Sequence, residues 1–164
     1  MPKAKEVTFS VPGWVSVKFT PNDAERIAAW KLYVEMATRV ATQPMDRSKG
    51  SVRAVLDSLY SVFTLTRGIL REGGPDLAPR QDSFGPLAIR FLTEVLAPFL
   101  LEWHEALKQH EHLRPPDMPP QKHELEWDRY AEMCASLATL QVKSASYVRS
   151  LADIAGIVHL PDAG

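Results

Sequence analysis

At 164 residues the chain is long enough to bury a real core, and the length favours a single domain, 1–164. Hydrophobic residues at 45% and charged residues at 24% exclude a disordered chain, and a net charge of −1 leaves no global field to draw it to nucleic acid or an anionic membrane. One cysteine, Cys134, excludes a disulfide framework and a Cys-rich zinc site, and it fits a reducing cytoplasm.

The first residues, MPKAKEVTFS, lack the apolar run of a signal peptide. Residues 6–19 alternate. Val7, Phe9 and Val11 point one way and Thr8 and Ser10 the other; after Pro12-Gly13 the alternation resumes with Val15, Val17 and Phe19. Period-two patterning around a Pro-Gly turn predicts a β-hairpin. An isolated hairpin is marginal in water, so its Val/Phe face must pack on the rest of the chain, or its edge must pair with something else.

Thr20-Pro21-Asn22-Asp23-Ala24-Glu25 reads as a helix start, with a capping hydroxyl, a first-turn proline and early acids. The first helix is expected to run to about Thr42, facing the core with Ile27, Trp30, Val34, Ala37 and Ala41, and to end at Gln43-Pro44. After a polar connection, Asp46 to Gly50, a second helix covers about Ser51 to Arg71. Its stripe is Val52, Val55, Leu59, Val62, Thr66 and Ile69, and Gly73-Gly74-Pro75 stops it. The third helix starts near Ser83 with Ala88, Leu92, Val95, Phe99 and Trp103 inside, apolar nearly all round, and Pro98 predicts a kink. Charges at Arg90 and Glu94 interrupt its apolar run, so no transmembrane span is expected.

Leu113 to Lys122 carries two Pro-Pro pairs and is expected to be a stiff connector. The last helix is expected from His123 to Gly156, roughly 50 Å long at the usual rise. Its inner stripe would be Trp127, Ala131, Cys134, Ala138, Gln141, Ala145, Val148 and Ala152. The fold class that follows is all-α: an up-down four-helix bundle over 20–158 with an N-terminal β-hairpin, 6–19, and a frayed tail, 159–164.

Three groups could carry chemistry. A His/Glu cluster flanks the proline connector: Glu102, His104, Glu105, His110, Glu111 and His112 before it, and His123, Glu124 and Glu126 after it. Imidazoles and carboxylates bind divalent metals, which makes His110 and His123 the metal candidates. His104 and His110 stand six apart, however, and neither Glu-x-x-His nor His-Glu-x-x-His occurs, so a solvated helix end is the better reading. Charges within apolar runs form the second group. Arg39, Arg67 and Arg90 could hold an anionic ligand, since a guanidinium grips phosphate or carboxylate in a fork. Alternatively they are register-setting ion pairs, as the spacing of Glu35 with Arg39 and Arg90 with Glu94 suggests. Cys134 has no flanking base and reads as a buried thiol. No nucleophile elbow or glycine-rich phosphate loop is present.

The sequence therefore reads as a non-catalytic protein-interaction module without a cofactor, an accessory or regulatory subunit of a larger cytosolic bacterial protein or complex. A protein partner is expected and a homodimer is the variant of that reading. No membrane association is expected, and nucleic acid ranks lowest because Lys and Arg are dispersed among acids. The candidate interface is the hairpin edge with Val15 and Val17, together with Leu151, Ile154 and Ile157 near the chain's end. The alternatives are a sensor of an anionic small molecule or nucleotide at the three arginines, and a metal-dependent enzyme at the His/Glu end.

Overall fold

A computed structural model describes residues 5–39 and 51–159. The chain is mostly helical, behind a two-stranded antiparallel hairpin. The order is β1 (Val7–Val11), β2 (Val15–Phe19), α1 (Asp23–Ala37), α2 (Val52–Gly73), α3 (Phe84–His112), α4 (Pro120–Leu125) and α5 (Tyr130–Ala155). α1 packs on α5 and on α2, α2 touches α3, α3 touches α5, and β1 lies along α5. α1 ends at Ala37 with Thr38 as its C-cap, short of the end expected near Thr42; residues 40–50 and the tail beyond His159 lie outside the described residues.

The hairpin forms as its alternation predicts, with Phe9 opposite Val17 and Ser10 opposite Ser16. Gly13 takes φ 71° in the loop, a backbone conformation that L side chains rarely adopt. Phe9, Val11 and Phe19 are buried. The hairpin is anchored by rings. Phe9 meets Tyr147 edge-on at 5.8 Å, Tyr147 stacks on Phe91 at 3.8 Å, and Trp14 meets Phe91 edge-on at 5.8 Å. The Ser150 hydroxyl accepts from the Ser10 N–H at 3.1 Å and donates to the Ser10 carbonyl at 3.2 Å, so it takes the place of a neighbouring strand.

α1 begins two residues later than expected. Asn22, not Thr20, is the cap, and it forms a capping box with Glu25. The helix also presents the other face to the core. Ala28, Ala29, Leu32, Tyr33 and Met36 are buried, whereas Ile27, Trp30 and Val34 are 57%, 48% and 39% exposed. Both faces are apolar, so periodicity alone could not choose between them. The small Ala28 and Ala29 belong to the face that packs inward.

α2 buries Val52, Val55, Leu59, Val62 and Thr66 as its stripe predicts. In α3, the stretch Phe91–Leu96 is a π-helix rather than a simple kink, and the Ala97 N–H reaches the Leu92 carbonyl. This widened turn stands just before Pro98. Proline lacks an N–H and its ring crowds the carbonyl four residues earlier, and an added residue in the turn relieves that crowding. α3 is long and apolar enough to cross a membrane by length and composition, and 56% of the qualifying window is buried inside the fold.

The single last helix expected from the sequence is two. Pro120 opens α4, because proline at a first helical position loses no needed hydrogen bond, so the connector ends sooner than its second Pro-Pro pair suggests. Between α4 and α5 the chain tightens. Trp127 N–H bonds the Glu124 carbonyl and Tyr130 N–H the Trp127 carbonyl, and this turns Trp127 into the interior against Trp103. The inner face of α5 keeps Cys134, Val148 and Ala152 of the expected stripe and adds Met133, Leu137, Leu140, Ser144, Tyr147, Leu151 and Ile154, while Ala131 and Ala138 are exposed.

Candidate functional site

The richest polar cluster lies where the end of α3, the whole of α4 and the start of α2 meet. α2 begins at Ser51, whose hydroxyl accepts the Ala54 N–H at 3.3 Å. Its remaining free N–H groups are met from far along the chain. The Glu124 carboxylate, 7% exposed as a residue, accepts the Val52 N–H at 2.6 Å and the Arg53 N–H at 3.3 Å, and the Ser51 hydroxyl lies 3.2 Å from it. An anion at a helix N-terminus satisfies donors that the helix leaves free and complements its dipole.

The neighbouring residue, His123, pairs with His110. Their rings stack at 3.8 Å, 7° from parallel. Each Nε2 lies 2.7 Å from the other residue's main-chain carbonyl. A carbonyl only accepts, so each Nε2 carries a proton and donates. The two histidines thus clasp α4 onto the end of α3, and His110 also lies against Trp127. Both Nε2 atoms are committed to carbonyls, and among the described residues no group of three or more His, Cys, Asp or Glu is placed to hold a metal ion.

Arg53 extends the cluster. Its guanidinium forms a two-bond fork with Glu111, and Nη1 lies 3.1 Å from His104 Nδ1. A guanidinium only donates, so Nδ1 of His104 accepts and its proton sits on Nε2. The hydrogen bond to Glu111 raises the Arg53 pKa, against partial burial, and Asp57 adds to the effect. Tyr60 meets the His104 ring edge-on at 5.0 Å. Nearby, Arg129 lies 4.4 Å over the Trp103 ring and is paired with Glu132 and Glu102. Arrangements of this kind hold helix ends together.

The three candidate arginines are held by three different sets of partners. Arg39 bonds Ser61 at 2.6 Å and Glu35 at 2.9 Å. Arg67 is exposed and lies 5.6 Å over the Phe63 ring. Arg90 pairs with Glu94 at 2.9 Å and covers the Trp14 ring, while the Trp14 indole donates to the same Glu94 at 3.0 Å. That triangle pins the hairpin loop to α3. Of the candidate interface residues, Leu151 and Ile154 are buried in the chain's own core, so neither is open to a partner. Val15, Val17 and Ile157 are half-buried against that core.

Two features escaped the sequence reading. Glu25 is 1% exposed and caps two helices at once, through the Asn22 N–H at 3.0 Å and the Phe84 N–H at 2.9 Å. The Asn-x-x-Glu spacing could have revealed the first contact; the second joins residues 59 apart and leaves no local signal. The other feature is the exposed face of α1, beside a groove of about 180 Å³ lined by Ala24, Ile27, Ala28, Lys31, Ile69, Glu72 and Gly73. The Lys31–Glu72 ion pair, 2.6 Å, lies at this groove. No family model, curated protein or solved structure matches the chain.

Proposed function

We propose that the chain is a non-catalytic protein-interaction module, an accessory or regulatory subunit of a larger cytosolic bacterial protein or complex. The observation that carries this reading is the second apolar face of α1. A helix with one apolar face packs it on the core; Ile27, Trp30 and Val34 form another such face, spaced for helix-on-helix packing, and the chain leaves it in water. The adjoining groove has room for about one large apolar side chain. The occupant it suits is an amphipathic helix of a partner, laying its apolar side on α1 with one residue in the groove. A large exposed tryptophan at the centre of such a face is the residue type that dominates binding energy at protein interfaces.

The neighbour relations α1–α2, α2–α3, α3–α5 and α5–α1 close a ring, and on that basis we read the helices as a four-helix bundle with α4 as an interruption. The bundle then serves as a rigid platform for the exposed face.

The test compares tagged wild-type protein with Ile27→Asp and Trp30→Asp, each expressed in the source organism. These positions are exposed, so the melting temperatures of the variants should match wild type. The reading expects a stoichiometric partner with the wild type that is lost from both variants. Recovery of the same proteins by all three, or of none, would overturn it. A doubled native mass that both variants abolish would instead identify a second copy of the chain as the occupant.

A further inference from the structure

We propose that the outer edge of β2 is a strand-docking site for an extended segment of a partner protein, one that alternates apolar and polar residues and places an acidic side chain opposite Lys18. The proposal shares with the interaction-module reading only the need for a protein partner; the surface is separate from the α1 face.

The direction in which the main chain of β2 points follows from Ser150. The Ser10 N–H and carbonyl both bond its hydroxyl, so at Ser10 the main chain of β1 points away from β2. In an antiparallel pair, directly opposed residues either both point inward or both point outward. Ser10 is opposite Ser16 and Thr8 is opposite Lys18, so Ser16 and Lys18 point their N–H and carbonyl groups away from β1. Among the described residues no other strand or side chain bonds these groups. Among the described residues the edge of β1 is closed by α5 and that of β2 is left open.

The chemistry of the occupant follows from the two faces. On the solvent face the strands carry Thr8, Ser10, Ser16 and Lys18, of which Lys18 alone is charged, and it forms no ion pair among the described residues. A residue paired with Lys18 on an added strand would lie on that same face, where an opposite charge is favourable and a like charge is not. On the other face Val15 and Val17 are half-buried beside the core, so alternate apolar residues of the added strand would complete their covering. Main-chain bonds would supply affinity and these side-chain positions the selectivity.

The probe is a short synthetic peptide alternating valine with glutamate, titrated into the full chain and followed by amide shifts of Ser16 and Lys18. Binding should perturb these amides and be unchanged in Ile27→Asp, which separates failure here from failure of the α1 reading. Lys18→Pro removes an outward N–H without touching the β1–β2 ladder and should weaken binding about tenfold or more. Lys18→Glu should reverse the preference toward a peptide with lysine in place of glutamate. N-methylation of the peptide on its pairing edge should abolish binding by wild-type protein, and on its other edge should not, a result that needs no protein variant to fold. Equal binding by Lys18→Pro and wild type, indifference to N-methylation, or no perturbation at millimolar peptide would each overturn the proposal. So would a native dimer abolished by Lys18→Pro, which would mean that a second copy occupies the edge.

Discussion

The Glu25 carboxylate accepts the main-chain N–H of Phe84 at 2.9 Å while its other oxygen closes the capping box of α1. One buried side chain therefore starts two helices. Replacing it leaves donors stranded at both helix ends. Glu25→Ala should cost about 3 kcal/mol, combining a lost cap with an unsatisfied buried N–H. Glu25→Gln keeps an acceptor for one donor but turns an NH2 toward the other, and should fall nearly as far. Urea denaturation measures both; a loss below about 1 kcal/mol for the alanine variant would mean that solvent replaces these bonds.

Gly85 sits in the first turn of α3 against the chain that leads into it. A Cβ there would lie 2.7 Å from the Leu77 carbonyl oxygen, which is main chain and cannot swing aside. Gly85→Ala should therefore destabilise the fold by about 1–3 kcal/mol through overpacking, although alanine is the better helix former. A thermal melt unchanged from wild type would show that the Leu77 loop adjusts freely.

The two faces of α1 make opposite predictions. Leu32→Ala empties a fully buried site and should cost about 2–5 kcal/mol. Ile27→Ala on the exposed face should stay within about 0.5 kcal/mol. If the costs are reversed, the helix is rotated from the orientation described.

Tyr147 is 1% exposed, and burial raises the pKa of its phenol above the ordinary 10.0. Below that ordinary value both the folded and the unfolded chain keep the proton, and the stabilising effect of burial is fully present. Above it the unfolded chain ionises first, so stability falls as pH rises, by up to about 1.4 kcal/mol per pH unit. Urea midpoints taken from neutral to strongly alkaline pH should show this slope in the wild type and a shallower one in Tyr147→Phe. Equal slopes would assign the alkaline loss to other groups.

Local patterns were legible where one answer dominated. The hairpin could be read because alternation and Pro12-Gly13 agree. α2 could be read because its apolar residues occupy one face only. α1 could not be oriented, since Ile27, Trp30 and Val34 make as good a stripe as Ala29, Leu32 and Met36. The stripe of α5 was legible only in part: Cys134, Val148 and Ala152 are buried as read, but Ala131 and Ala138 yield the interior to larger neighbours such as Met133 and Leu137. The turn at Trp127 depends on Trp103 and His110 in another helix, and the capping by Glu124 depends on a helix start 72 residues away. Contacts of that range leave no periodic trace. The His/Glu cluster was visible as composition, but its stacked pair and crossed hydrogen bonds come from the fold.

The exposed face of α1 is proposed as a partner's seat. The most direct measurement replaces Trp30 with a photo-crosslinking phenylalanine analogue in the source organism and compares it with the same analogue at Arg149, an exposed position on α5. One dominant protein adduct is expected from position 30, vanishing when Ile27→Asp is added, and none from position 149. Identical adducts from both positions, or none from position 30, would contradict it.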